Sequence, residues 1–367
     1  ELGEKLKNPF SVENRKIAYA NITQRNAVAR AMNTVDVRPT HWYVRFLPSD
    51  YSQYDLLIKD TTLALQDHPV DYAISKPGDF YHDPAVPFGK PTYQYTTVPV
   101  GYTVPNGIAF EILEELYLPE SDVLLQNTTG RTAEEGESFV QALEDEAFLI
   151  TGHAEDESTE KFSSGRRPSK WIPAGSVAVF DNRLNTYIPL EGVKVQARRW
   201  FTVKTAYTDA SGHFKMSSGF RHQASYRITW ERDGFDIRSG TFGQALFNGP
   251  KKRGDWNLKI ERNGLSFHYA HVFRAAMRYY YGDIGGLERP AFRLKYSVFD
   301  KRGNHMAKNI GNWSVFGINP NILIYRYSSL DGSENDADEM FSTTCHETAH
   351  TTHMQVMRTG LIQYVQV

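Results

Sequence analysis

Apolar residues recur along this chain at two spacings, and the spacing changes several times. Before residue 37 they fall at helical intervals, with Val12, Ile17, Ala18 and Ile22 leading into Ala27, Val28, Ala29 and Ala31. Between 38 and 120 short β-rich segments alternate with prolines. Trp42-Tyr43-Val44-Arg45-Phe46-Leu47 and Thr96-Thr97-Val98-Pro99-Val100 read as strands. Ile108, Phe110, Ile112, Leu113 and Leu116 read as a short amphipathic helix. A longer helix is expected from Glu137 to Ile150, with Phe139, Val140, Leu143, Ala147, Phe148 and Ile150 on its apolar side.

The pattern lapses from His153 to Lys170, a polar stretch that reads as a solvated linker around Arg166-Arg167. Short strands follow at 175–180, 193–197, 203–208, 213–216 and 226–230, separated by turns rich in Gly, Asp or Pro, a spacing that predicts an antiparallel sandwich. The helical period returns from Phe267 to Tyr281 and breaks at Gly285-Gly286. Phe292 to Phe299 alternates as a strand, Asp300-Lys301-Arg302-Gly303-Asn304 reads as a turn, and Asn321 to Tyr327 as a further strand. A final helix is expected to start near Ser333, Asn335 or Asp336 and to stop at Gly360. The fold class that results is multidomain α+β. Its parts are a mixed N-terminal region (1–171), a central antiparallel β-sandwich (172–262) and a C-terminal α+β domain (263–367).

Composition adds little. Hydrophobic residues make up 40% and charged residues 23% of 367, enough for packed cores. The balance of 41 basic against 43 acidic residues offers no electrostatic case for nucleic acid. No apolar run is long enough to span a membrane. The one cysteine, Cys345, excludes an intramolecular disulfide and reads as a small apolar packing residue. The start at Glu1 rather than Met points to a processed N-terminus.

The chemistry concentrates in Cys345-His346-Glu347-Thr348-Ala349-His350-Thr351-Thr352-His353. On a helix His346 and His350 project from one face about one turn apart, so both imidazoles can reach one Zn²⁺. Glu347 is then placed to take a proton from the water that attacks a carbonyl. Phe341, Cys345, Thr348, Ala349, Thr352 and Val356 form the stripe expected to be buried. His353 lies about 10.5 Å along the axis from His346. It is therefore expected beside the metal or facing substrate, and less readily as a third ligand. His268 and His271, His68-Pro69 and His82-Asp83-Pro84 are further candidates, each read first as a packing or turn feature.

The His-Glu-x-x-His segment resembles the active-site helix of zincin metallopeptidases. The metzincin branch places Gly where His353 stands, so the better likeness is to gluzincins, whose third ligand is an acidic residue on a later helix. That resemblance implies a zinc peptidase acting on peptide or protein substrates, with the third ligand beyond Val367. It also implies that the strand at 321–327 lies at the sheet edge and pairs with extended substrate. Pro189-Leu190-Glu191-Gly192-Val193-Lys194-Val195 followed by Thr208-Asp209-Ala210-Ser211-Gly212-His213-Phe214 resembles the carboxypeptidase regulatory-like, prealbumin-like sandwich, a non-catalytic module. Lys5-Leu6-Lys7-Asn8-Pro9-Phe10-Ser11-Val12-Glu13-Asn14 resembles the start of mature surface lipoproteins of gut-type bacteria. It implies a lipid anchor and an extracytoplasmic site, at the cell surface or in the periplasm. The competing reading is an inactive zincin frame that serves as a binding protein or adhesin for glycan or protein.

Overall fold

The computed structural model describes residues 1–25, 35–87, 90–105, 107–119, 133–153, 169–240, 243–307 and 321–365. It is mixed α+β, with five helices and several sheets among those residues. Most of the expected linker (154–168) and the apolar positions 27–31 lie outside them.

The N-terminal part runs β1 (Leu2–Lys5), α1 (Val12–Arg25), β2 (His41–Leu47), α2 (Tyr51–Lys59), β3 (Tyr72–Ile74), β4 (Gly78–Asp79), β5 (Gln94–Pro99), β6 (Ala109–Leu116) and α3 (Ala133–Ile150). β2 lies between β5 and β6 in an antiparallel sheet, and α1 packs on α3 around Ala18, Phe139, Leu143 and Ala147. β6 occupies the stretch expected to be helical. Tyr43 pairs with Glu114 but Val44 with Ile112, so Leu113 is an extra residue in a bulge. That one insertion turns the period-two series Ile108, Phe110, Ile112 into a spacing that imitates a helical turn.

The middle part contains β7 (Ala174–Asp181), β8 (Thr186–Pro189), β9 (Lys194–Arg199), β10 (Thr202–Tyr207), β11 (His213–Lys215), β12 (Ala224–Thr229), β13 (Glu231–Arg232), β14 (Phe235–Ser239), β15 (Gly243–Gln244), β16 (Leu246–Lys252) and β17 (Trp256–Ile260). One antiparallel sheet has the order β10-β9-β12-β16-β4, and a second has β11-β7-β17 with β8 alongside β7. β7 and β17 run parallel, so the sandwich is not wholly antiparallel. Hairpins make only antiparallel neighbours, and these two strands meet from opposite ends of the segment. Between β10 and β11 the Asp209 carboxylate accepts the N–H groups of Ser211 (2.8 Å) and His213 (3.0 Å). Gly212 sits there at φ +75°, where a Cβ would come within 2.6 Å of the Val177 carbonyl oxygen.

The last part comprises α4 (Leu265–Tyr281), β18 (Leu294–Gly303), β19 (Met306–Ala307), β20 (Asn321–Ser328) and α5 (Ala337–Val365). Strands β13 to β15 leave the sandwich and join this part in a sheet ordered β13-β14-β18-β20-β19. β14, β18 and β20 are parallel, and β19 is antiparallel at the edge. The division expected at 262 therefore falls across a shared sheet, and one core runs unbroken from Val177 to Met340.

Three expectations are corrected here. β18 continues through Asp300-Lys301-Arg302-Gly303 with a register shift after Phe299, where a turn was expected. β20 is not the edge strand, because β19 covers it. α5 passes through Gly360 to Val365. A helix-interior glycine costs only about 1 kcal/mol relative to alanine and does not by itself end a helix.

In the parallel sheet Phe235, Ile237, Leu294, Tyr296, Val298, Ile322 and Ile324 join the core beneath α4 and α5. The alternate positions Asp236, Arg238, Lys295 and Ser297 face the other way and are still buried. Helix α2 covers them. Lys295 Nζ bonds Asp55, Arg238 Nη2 lies 3.7 Å from Asp55, and Arg238 Nε meets Asp236. The sandwich repeats the arrangement. Arg227 of β12 donates to Gln66 Oε1 (2.8 Å) and the Leu65 carbonyl (3.1 Å), while Asp67 bonds His68 Nδ1 (2.7 Å) beside Arg198. Burial, with Arg227 alongside, lowers the Arg198 pKa to about 10.

Removing one member of such a layer strands the rest. Asp55→Leu takes away the carboxylate that lies against both Lys295 and Arg238 and is expected to cost about 3–5 kcal/mol. Lys295→Met leaves Asp55 still opposite Arg238 and should cost clearly less. Denaturant unfolding of both variants checks the ranking, and equal losses would contradict it.

Candidate functional site

The motif helix is fixed at its start by reciprocal capping. Asp336 Oδ1 accepts the N–H groups of Asp338 (3.1 Å) and Glu339 (3.0 Å), and Glu339 Oε2 accepts the Asp336 N–H (2.9 Å). Asn182 takes the Ala337 N–H at 3.0 Å, and Arg183 pairs with Asp336 at 2.7 Å. The helix behind it, α4, starts at Gly264, which has no side chain to cap with. Asp79 supplies the cap from β4 by accepting the Leu265 N–H, and it also accepts the Ser266 hydroxyl.

Beyond Ala337 and Met340 in its first turn, the buried side of α5 is threonine rather than the mixed stripe expected. Thr344, Thr348 and Thr351 are fully buried and Thr352 nearly so, whereas Phe341, Cys345 and Ala349 are half-buried. The side chain of Val356 lies outside the described residues. Each buried threonine hydroxyl donates to a carbonyl one turn back. Thr348 having spent its proton on the Thr344 carbonyl, the Tyr296 hydroxyl at 2.9 Å must donate to Thr348 Oγ1. Tyr279 meets Thr352 in the same way at 3.1 Å. Burial pushes the Cys345 thiol up, with Arg278 opposing, which disfavours the thiolate a metal ligand requires.

On the other side His346 and His350 are exposed, with their Nε2 atoms 2.9 Å apart and their rings edge to face at 4.5 Å. Two tetrahedral ligands at 2.0–2.1 Å from zinc would stand about 3.3 Å apart. A small rotation of either ring admits the ion, so this pair fits a metal as two of its ligands. Among the described residues no group of three His, Cys, Asp or Glu side chains is placed to hold one. His353 is exposed further along the helix and does not complete such a group.

Glu347 is 8% exposed and lies within electrostatic reach of His305, a residue with no sequence signal of its own. His305 precedes the edge strand β19; its Nδ1 accepts the Tyr325 N–H at 3.1 Å, and its Nε2 lies 3.2 Å from Asn335 Nδ2. Burial holds the His305 imidazole below its ordinary pKa, against Glu347 and Glu339. The nearby flank of β20 is sealed. Arg326 O accepts the Asn335 N–H (2.9 Å), Tyr325 O accepts Asn335 Nδ2 (2.8 Å), and Ser328 N–H donates to Ser333 O (2.9 Å). The outer edge of β19 has no strand partner among the described residues.

The other histidines are structural in their contacts. His271 donates from Nε2 to the Phe180 carbonyl (3.2 Å) and accepts from Arg274 (2.9 Å). His268 donates from Nδ1 to the Gly264 carbonyl (3.3 Å) and points Nε2 at Glu334, 3.6 Å away. His68 is buried against Asp67, and His82 holds the Val86 carbonyl at 3.0 Å.

No family model and no curated protein matches this chain. Among solved structures, the chain is similar to a Klebsiella pneumoniae 5-hydroxyisourate hydrolase at 20% identity, covering 26% of this chain and 93% of that one, with a TM-score of 0.18. It is similar to an (S)-allantoin synthase at 13% identity, covering 41% of this chain and 60% of that one, with a TM-score of 0.20. At these scores neither carries a fold or a function to this chain.

Burial lowers the pKa of His268 to about 4, with Glu334 opposing, and that of His271 also to about 4, with Arg274 adding to the effect. The unfolded chain therefore binds more protons than the folded one from about pH 6.5 down to about pH 4. Stability is expected to fall as pH drops through that window, by up to about 1.4 kcal/mol per unit for each histidine. His271→Gln should remove one such share from the slope measured by urea unfolding. An unchanged slope would show that His271 does not carry it.

Proposed function

We propose that the chain is a zinc-dependent metallopeptidase in which His346 and His350 are two of the metal ligands and Glu347 is the general base. The convergence of two exposed imidazole nitrogens to 2.9 Å, with Glu347 between them in sequence, carries this reading. Zinc held there would polarise a peptide carbonyl and make bound water a nucleophile near neutral pH. Glu347 takes the proton of the attacking water and delivers it to the leaving amine. The outer edge of β19, unpaired among the described residues and directly after His305, is where an extended peptide would add as a strand. This moves to β19 the role expected of 321–327.

The third ligand we assign to an acidic residue following α5, by the gluzincin likeness. On this reading the C-terminal sheet with α4 and α5 is the zincin-like part, and the sandwich is the prealbumin-like module that braces it. The likeness of residues 5–14 to surface lipoproteins supports an extracytoplasmic, lipid-anchored location at a bacterial cell surface or in the periplasm. No helix among the described residues is long and apolar enough to cross a membrane.

Metal analysis of the full-length protein should give close to one zinc per chain, and His346→Ala should lose it. Glu347→Ala should retain the metal and lose proteolysis by about 10²–10⁴-fold. Equal turnover by the wild type and Glu347→Ala would refute the assignment. Zinc-free protein without peptidase activity would favour the competing reading, a binding protein on an inactive frame.

A further inference from the structure

A cleft of about 670 Å³ opens where β1 and the segment leading into α1 meet the β5-β2-β6 sheet, built from residues far from the histidine motif. Four tyrosines line it: Tyr43, Tyr72, Tyr81 and Tyr95. Tyr43 and Tyr95 form its buried floor, with rings 6.4 Å apart. The Tyr43 hydroxyl is fully used, donating to Asp71 Oδ1 (3.0 Å) and accepting the Val70 N–H (2.9 Å). Tyr72 and Tyr81 are half-buried, and their hydroxyls make no hydrogen bond among the described residues.

Charge in the lining cancels. Lys5, Lys7 and Arg45 stand with Asp71, Asp83 and Glu114. Several of these are already engaged, Lys5 with Asp71 at 3.6 Å, Arg45 with Glu111 at 2.7 Å and Glu114 with the Asn8 amide at 2.6 Å. A phosphate or other polyanion needs an excess of cations, which this lining lacks. An apolar cofactor needs mostly apolar walls, and these are dense with ions and amides. Tyrosine rings among closely spaced donors and acceptors suit a different ligand, one with C–H faces to stack and hydroxyls that both donate and accept.

We propose that this cleft binds a neutral oligosaccharide, with Tyr72 and Tyr81 as stacking platforms and Asp83 and Glu114 as acceptors for its hydroxyls. The volume lies within the range of ligand sites and suits a short stretch of chain. This proposal stands apart from the peptidase reading, since it shares no residue with it.

The test is a printed array of neutral and anionic glycans probed with the 367-residue chain. Neutral glycans should be retained, Tyr72→Ala and Tyr81→Ala should each weaken retention about tenfold, and the Phe variants should restore most of it. Glu347→Ala should bind like the wild type, which separates failure of this site from failure of the peptidase. Retention of no neutral glycan, or of anionic glycans alone, would overturn the proposal. So would full binding by alanine variants that melt with the wild type. If those variants unfold early, nitration of the wild-type chain decides: bound glycan should protect Tyr72 and Tyr81, and absence of protection would count against the site.

Discussion

Two sheets in this protein carry charged side chains on a face that is nevertheless covered. Arg198 and Arg227 on the sandwich, and Arg238 and Lys295 on the parallel sheet, are all buried. An unpaired buried ion costs several kcal/mol even after relaxation, so none of these positions tolerates simple apolar cover. The cover is residues 55–79, a strap that brings Asp55 to Lys295 and Arg238 and Asp67 to His68 beside Arg198. It ends at Asp79, which caps α4. Against the burial that would raise it, His68 and Arg227 hold the Asp67 carboxyl below the usual range. The N-terminal region thus covers one face of the C-terminal sheet through Asp55 and adds β4 to the edge of the sandwich sheet.

That dependence reaches the motif. α4 is started by the strap and lies under α5, and α5 is seated by threonines whose hydroxyls are all returned to its own backbone. Small β-branched side chains with satisfied polar atoms let α5 sit close without burying an unpaired group. Tyr296 and Tyr279 then pin it from the sheet and from α4. The consequence is orientation. With the threonine face locked inward, His346 and His350 must face out, and Glu347 falls on the boundary between the two sides.

Local features of this arrangement were legible in the sequence. The spacing of His346 and His350 is a property of one helical turn, and the acidic first turn is read within four residues, whereas the choice of Asp336 over Ser333 or Asn335 as the cap comes from the structure. Strands with unbroken alternation, such as 174–181, were placed to within a residue. Misreadings came where one inserted residue shifts the phase, at Leu113 in β6 and after Phe299 in β18. The shared sheet was hidden for another reason. Asp236, Arg238 and Lys295 alternate with apolar neighbours as on a half-exposed strand, and nothing local reveals that Asp55 comes from two hundred residues away to bury them. His305 beside Glu347 and the tyrosine cleft are likewise products of long-range packing.

The placement of the free edge follows from the same economy of exposed backbone. An unpaired strand beside a surface groove invites pairing with any extended chain, and proteins limit this by keeping edges short or covered. β20, eight residues long, is covered twice, by β19 on Ile322 and Leu323 and by the 333–335 segment with His305 and Asn335 from Tyr325 onward. Among the described residues, the strand edge left without a partner at this end of the sheet is that of β19, two residues long and directly after His305. A full-length edge would pair indiscriminately. A two-residue edge holds an extended chain only where other contacts hold the remainder.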